Sequence, residues 1–439
     1  MGANLNTSSL PGPDTIAQRR FANGMVGLAW ENWSSPSVVV HGWLWVGSID
    51  ESAEQAGLSG LTASMMTRGT ERRSFAQIGE EIESLGATLS FTSGGHTTAF
   101  TAKCLSEDLS LVLDVLTDCL YHPTFPIEYV EKRRGEVLTA LEQREFNTRM
   151  MASLKFHELM YPDHPYGRSS MGYKETIQNL TREDVETFYV EHYGVPKHYG
   201  THSARDAGIT IVGAIPREQA LDVLQEALGS WQGAQSIQSS LPPAPPVNAI
   251  RAQHTEIPSK TQSDIVLGWV GLKRSHPDYF PAYVANCILG QFGMMGRIGD
   301  RVRDEKGLAY YSYTHLEAGL EAGPWSAIAG VAPGNVEPAV EAILDEVRRI
   351  QREPVSAEEL SDTKAYLIGS MPLRLEAKEN VAAQIAHMQV HQLGLDYLHH
   401  YPQQIEAVTA QGVMDVTSTY MDPAAYVISV AGPPEAEES

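Results

Sequence analysis

Two stretches about 220 residues apart carry the same order of patterns, and this repetition constrains the fold more than any other feature. Residues 38–46, V-V-V-H-G-W-L-W-V, are rich in branched and aromatic side chains and stop at Gly47-Ser48, as a central strand does. Residues 265–272, I-V-L-G-W-V-G-L, repeat the signal down to a Gly-Trp pair, Gly268-Trp269 against Gly42-Trp43. After the first strand, 51–66 carries Ala, Leu and Met at helical spacing. Ser74 and Gln77 form a capping box for a helix whose Phe75, Ile78, Ile82 and Leu85 share one face and which stops at Gly86. Strands at 88–93 and 97–105 flank Gly94-Gly95, and Leu109, Val112, Leu116 and Leu120 mark a further helix. In the second half, 281–289, 296–306, two strands and 336–350 answer these in turn. A period this long reads as gene duplication rather than a solenoid. The pattern predicts an α+β chain of two similar domains, each a mostly antiparallel sheet flanked by helices.

The boundary falls at 233–247, G-A-Q-S-I-Q-S-S-L-P-P-A-P-P-V, whose Ser, Gln and Pro content reads as an extended linker between 1–232 and 248–439. A length of 439 residues suits two cores of ordinary size. Residues before 38 read as a mobile start. With 32 Lys and Arg against 54 Asp and Glu, the formal charge of −22 argues against nucleic acid and anionic membrane surfaces. Cys104, Cys119 and Cys287 sit in apolar contexts without a C-x-x-C, which predicts buried free thiols. The opening residues lack a charged segment followed by an apolar core, and Asn6 stands where myristoylation wants Ser or Thr. No apolar run reaches the roughly 18 residues of a membrane span. A cytoplasmic chain is the expectation.

The stretch 296–313, G-R-I-G-D-R-V-R-D-E-K-G-L-A-Y-Y-S-Y, sets Arg303 seven residues before Tyr310. The run up to Lys306 reads as a short helix, Gly307 as its left-handed terminus, and L-A-Y-Y-S-Y as a strand, so guanidinium and phenol can converge across the turn. An Arg offers a fork of donors for a carbonyl or carboxylate, and a Tyr hydroxyl can stabilise an oxyanion. The competing reading of the same spacing is an Arg on a solvated helix face and a core Tyr.

The longer run I-L-G-Q-F-G-M-M-G-R-I-G-D-R-V-R-D-E-K-G-L-A-Y resembles the C-terminal domain of the pitrilysin/insulinase family of inverted-zincin metallopeptidases, its mitochondrial-processing-peptidase-like branch above all. E-N-W-S-S-P-S-V-V-V near Glu31, R-G-T-E-R-R-S at Arg68, H-P-T-F-P at His122, H-P-Y-G at His164 and D-Y-L-H-H-Y-P-Q-Q-I-E-A-V-T-A extend the likeness over nearly the whole chain. The resemblance implies the processing-peptidase fold, a clam-like pairing with a second chain, and an Arg303/Tyr310 pair that holds the scissile peptide opposite a zinc ion.

The family's zinc is held by H-x-x-E-H on the helix after the first strand, two imidazoles on one face with the Glu polarising water, and by a distal Glu. At those positions this chain has Gly60, Ala63 and Ser64, then Ala140 76 residues after Ser64, and Arg133 in place of a supporting Glu. Without imidazoles, base or distal carboxylate there is no donor set for zinc. Glu136 and Glu142 read as solvated helix-face carboxylates. His387 and His391 have zinc-ligand spacing, but Met388 stands where a forward zincin needs Glu and no third ligand is evident. His157 and His164 read as capping or packing residues, and His96 falls where the family lines its cleft.

These readings predict a non-catalytic, substrate-binding subunit of a heterodimeric zinc metallopeptidase. It binds no metal or cofactor of its own and lends Arg303 and Tyr310 to the zinc site of an H-x-x-E-H partner that cleaves peptides. The rival expectation is a structural core-type subunit of a larger assembly, which has no need of the Arg/Tyr pair.

Overall fold

Ser37–Leu44 is buried at every position but Ser37 and His41 because both of its faces are covered; a strand with one wet face would alternate. In a computed structural model that describes residues 10–194, 206–232, 241–291 and 296–434, it is the third of eleven strands. These are Ile16–Arg20 (β1), Val26–Glu31 (β2), Ser37–Leu44 (β3), Thr88–Ser93 (β4), Thr98–Leu105 (β5), Gly208–Gly213 (β6), Arg251–Glu256 (β7), Ser263–Val270 (β8), Ala309–Ala318 (β9), Ala322–Val331 (β10) and Val427–Gly432 (β11). They form a six-stranded sheet, β1-β2-β6-β3-β5-β4, and a five-stranded sheet, β7-β11-β8-β10-β9. Among the helices are Leu58–Met65 (α1), Phe75–Glu83 (α2), Ile127–Glu145 (α3), Thr148–Met160 (α4), Tyr279–Gly290 (α5), Ala357–Arg374 (α6), Lys378–Val390 (α7) and Tyr397–Glu406 (α8). The fold is α+β, with two sheets flanked by helices.

Apart from β1, the sheets correspond strand for strand. Each has one parallel pair, β2 with β6 and β7 with β11, and antiparallel pairs elsewhere. The repeated tryptophans do the same work: Trp43 Nε1 donates to the Asp206 carbonyl at 3.1 Å and Trp269 Nε1 to the Asp422 carbonyl at 2.8 Å. Each thereby satisfies a buried indole and pins the chain entering the sheet's last strand.

The strands part between β6 and β7, on either side of 233–247; of that stretch 233–240 lies outside the described residues and 241–247 has no regular structure. The helices do not part there. Helix α4, from the first half, lies on β8 and β11, where Ala152, Phe156 and Met160 bury against Val266, Val427 and Ala431. Helix α7, from the second half, lies on β3 and β6, joining Ile385 to the cluster that holds Val39, Trp43 and Val212. Lys378 seals this exchange by donating from Nζ to the Ser35 and Ser37 carbonyls at 2.7 and 2.9 Å. Burying a side chain such as Phe156 or Met160 contributes about 1.5–3 kcal/mol, so each half stabilises the other's sheet.

Three expectations change. Residues 16–31 are not a mobile start but the paired strands β1 and β2, because Val26, Leu28 and Ala29 are covered by the core. The helix expected over 51–66 begins only at Leu58. Gly57, at φ +98°, interrupts it, and the Glu51 carboxylate accepts from the Gly57 and Ser59 N–H groups at its start. The short helix expected up to Lys306 is one α turn, Gly296–Gly299, followed by a π-helical stretch, Asp300–Glu305. The expected terminator and capping box are present: Gly307 has φ +62°, and Ser74 with Gln77 caps α2. The three cysteines are buried free thiols. Among the described residues no helix is long and apolar enough to cross a membrane. Most of the opening segment read for leader and lipidation signals, 1–9, lies outside them.

Candidate functional site

Helix α1 packs on α3, which brings Gly60, Ala63 and Ser64 to the helix that bears Ala140. Ala63 is buried, and the Ser64 hydroxyl donates to the Leu61 carbonyl at 2.7 Å. A Cβ at Gly60 would meet only the Ser170 carbonyl, at 3.6 Å, so there is room for a side chain but no donor. These residues do not fit a zinc ion, since one hydroxyl already bonded to its own helix is the whole donor set. Glu136 and Glu142 are exposed on α3, and Glu136 accepts from Arg133 at 3.0 Å. Among the described residues no three His, Cys, Asp or Glu side chains are grouped to hold a metal. The nearby Glu51 carboxylate is pushed up to about 7 by burial, against the pull of its two backbone N–H bonds.

Tyr310 belongs to the other sheet. In the β9/β10 ladder Ala309 pairs with Val331 and Tyr311 with Gly330, so Tyr310 is the extra residue of a bulge. A bulge turns a side chain out of the ladder's alternation, and Tyr310 is 84% exposed at the edge of the sheet. It is not a core tyrosine. Its neighbours are tied down: Tyr311 donates to Asp264, and Arg149 of α4 bonds the Tyr313 hydroxyl. Arg303 sits in the π-helical stretch just before, donating from Nε to Asp304 at 2.7 Å. Irregular helix and bulge thus flank one turn, a combination over-represented at functional sites.

Two of the other family-like motifs have structural tasks. Thr70, Arg72 and Arg73 of R-G-T-E-R-R-S all bond the buried Asp118 carboxylate. His164 of H-P-Y-G accepts from the Tyr166 N–H through Nδ1 and donates from Nε2 to the Pro242 carbonyl at 3.0 Å. A site that spacing alone did not reveal is the cavity of about 330 Å³ between the β4–β5 and β9–β10 turns, lined by His96, His157, Tyr166 and Glu317. His96 Nε2 and the Tyr166 hydroxyl lie 2.6 Å apart there. His157 and Glu317 come from opposite halves, so no local signal links them.

Residues 29–174 match the family model described as Insulinase (Peptidase family M16), and 179–367 match that described as Peptidase M16 inactive domain. The chain belongs to peptidase family M16. Among similar sequences, an uncharacterised zinc protease of Streptomyces coelicolor is 27% identical over 341 residues, 76% of this chain and 72% of that one. Another from Mycobacterium leprae is 25% identical over 380 residues, 84% of this chain and 81% of that one. A peptidase M16 inactive domain from Pseudomonas fluorescens has the same fold, with a TM-score of 0.88 at 22% identity over 97% of this chain and 99% of that one. The inactive-domain model thus covers much of the second half of the chain and the peptidase model most of the first.

Proposed function

We propose that this chain is the non-catalytic, substrate-binding subunit of a heterodimeric zinc metallopeptidase whose other subunit carries H-x-x-E-H. The observation that carries the proposal is Tyr310: a phenol 84% exposed on a bulge, one turn after Arg303, in a chain whose own helix offers no zinc donors. An exposed aromatic with a polar tip on a rigid edge suits a group presented to something outside the chain.

In the complex, the partner's zinc and its Glu supply the activated water. This chain orients the peptide. Arg303 donates to a substrate carbonyl and Tyr310 donates to the oxyanion as it develops, an interaction that strengthens toward the transition state. β4 and β9 are the terminal strands of their sheets, to which an extended peptide can add as a further strand. No cofactor is assigned to this chain.

Co-expression with an H-x-x-E-H chain of similar length tests the reading. A one-to-one complex is expected in sizing experiments, with peptidase activity that neither chain shows alone. A partner fully active by itself that ignores this chain would sink the proposal.

A further inference from the structure

A second cavity, about 640 Å³, lies among α5, α6, α7 and α8 in the second half, well within the size range of small-molecule sites. Two arginines line it. Arg274 is 5% exposed, its guanidinium carbon 3.6 Å from the centroid of the Tyr279 ring and 5.0 Å from that of Tyr397. Arg374 donates from Nη1 to the Tyr283 hydroxyl at 3.1 Å and from Nη2 to the Tyr401 hydroxyl at 3.3 Å. Among the described lining residues there is no Asp or Glu.

That absence is informative in a chain with 54 acidic residues against 32 Lys and Arg. Most of its other arginines have a carboxylate in reach, as Arg297 has Glu359 at 2.5 Å and Arg73 has Asp114 and Asp118. A guanidinium cannot shed its charge, so a buried one wants a carboxylate, neutral acceptors such as the Gly172 carbonyl that Arg144 bonds, or another anion. Stacking on tyrosine faces offsets only part of the cost. The Tyr283 and Tyr401 hydroxyls that accept from Arg374 bring no negative charge, and Tyr401 donates its own proton to the Leu367 carbonyl at 3.4 Å.

The His387/His391 pair of α7 belongs to this neighbourhood, with ring centroids 4.2 Å apart and His387 in the lining. Burial, His391 and Arg274 lower the His387 imidazole to about 3. It is therefore neutral. A metal cation beside Arg274 would be repelled, whereas an anion would be welcomed by every charged group present.

We propose that this pocket binds a small organic anion, a carboxylate or phosphate monoester on an aromatic or apolar body. The anionic head lies against Arg274 and Arg374, and the body lies between the tyrosine rings and the apolar side chains of Met371, Leu375 and Leu398. The assignment does not rest on the peptidase reading.

Calorimetric titration of the full chain with phenylacetate, phenyl phosphate and inorganic phosphate tests it. Saturable one-to-one binding of phenylacetate or phenyl phosphate is expected, and which of the two binds tighter identifies the head group. Arg374→Gln, at an exposed helix end, should weaken that binding at least about ten-fold with an unchanged melting curve. Tyr283→Phe supplies a second variant that keeps the ring and removes one hydroxyl, with a smaller loss in the same direction. No saturable binding of either organic probe up to about 10 mM, or equal affinity in wild type and Arg374→Gln, would overturn the assignment. Inorganic phosphate binding as tightly as phenyl phosphate would overturn the organic body.

Discussion

His157 Nε2 lies 3.8 Å from Glu317 Oε2, which ties α4 of the first half to β9 of the second at the rim of the junction cavity. Burial opposes the His157 cation, but Glu317 and the Ser153 carbonyl outweigh it and raise the imidazole above its ordinary value. The bond from His157 in turn holds Glu317 below the ordinary carboxylate value. A raised His contributes in full below its unfolded value of about 6.5 and loses the contribution as pH rises through its folded value. A lowered Glu contributes above about 4.3 and loses it as pH falls through its folded value. The pair is therefore strongest between about pH 4.5 and 6.5. With Glu317 57% exposed, it contributes less than about 1 kcal/mol. His157→Gln should lower the melting temperature more at about pH 5.5 than at about pH 8, and equal shifts at both would remove the pair's role.

Asp118 is fully buried and accepts from Thr70, Arg72 and Arg73 at 2.6, 3.0 and 2.9 Å. Burial raises the carboxyl, and the three donors outweigh it to hold the group below its ordinary value. Its contribution is thus present above about pH 4 and lost only as pH falls through the lowered value. Asp118→Ala removes the buried acceptor shared by Thr70, Arg72 and Arg73, while Arg73 keeps Asp114 and Glu81, and should cost about 1–3 kcal/mol, read as an earlier denaturation midpoint in urea. A loss below about 1 kcal/mol would mean that Asp114 and Glu81 alone hold Arg73 in place.

Gly60, Ala63, Ser64 and Ala140 predict a chain that retains no stoichiometric zinc after dialysis and cleaves no peptide alone. Metal analysis beside a peptidase assay decides the matter: one zinc per chain with chelator-sensitive cleavage contradicts it.

In the proposed heterodimer, Tyr310→Phe should reduce turnover about 10- to 1000-fold, the range for losing one oxyanion donor, with little change in binding. Arg303→Ala should chiefly raise KM, because the anchor acts in ground and transition states alike. Melting curves should stay within about 0.5 kcal/mol of wild type, as suits an exposed phenol and a surface guanidinium. Wild-type kinetics in both variants would favour a purely structural subunit.

The sequence by itself determined whatever depends on neighbours within a few residues. The capping box at Ser74, the left-handed Gly307, the doubled strand-helix order and the lack of donors at Gly60, Ala63, Ser64 and Ala140 were legible there, because local hydrogen bonds and side-chain chemistry are written residue by residue. Tertiary structure alone decided which surface covers which. That α4 crosses to β8 and β11 while α7 crosses to β3 and β6 leaves no trace in periodicity, since an apolar stripe records that a face is buried and not against what. The bulge that turns Tyr310 outward depends on the register with β10. Arg274 and Arg374 stand 100 residues apart in the chain and share a cavity only because helices pack around it. Such convergence is chosen by shape complementarity and burial among distant segments, which no local pattern encodes.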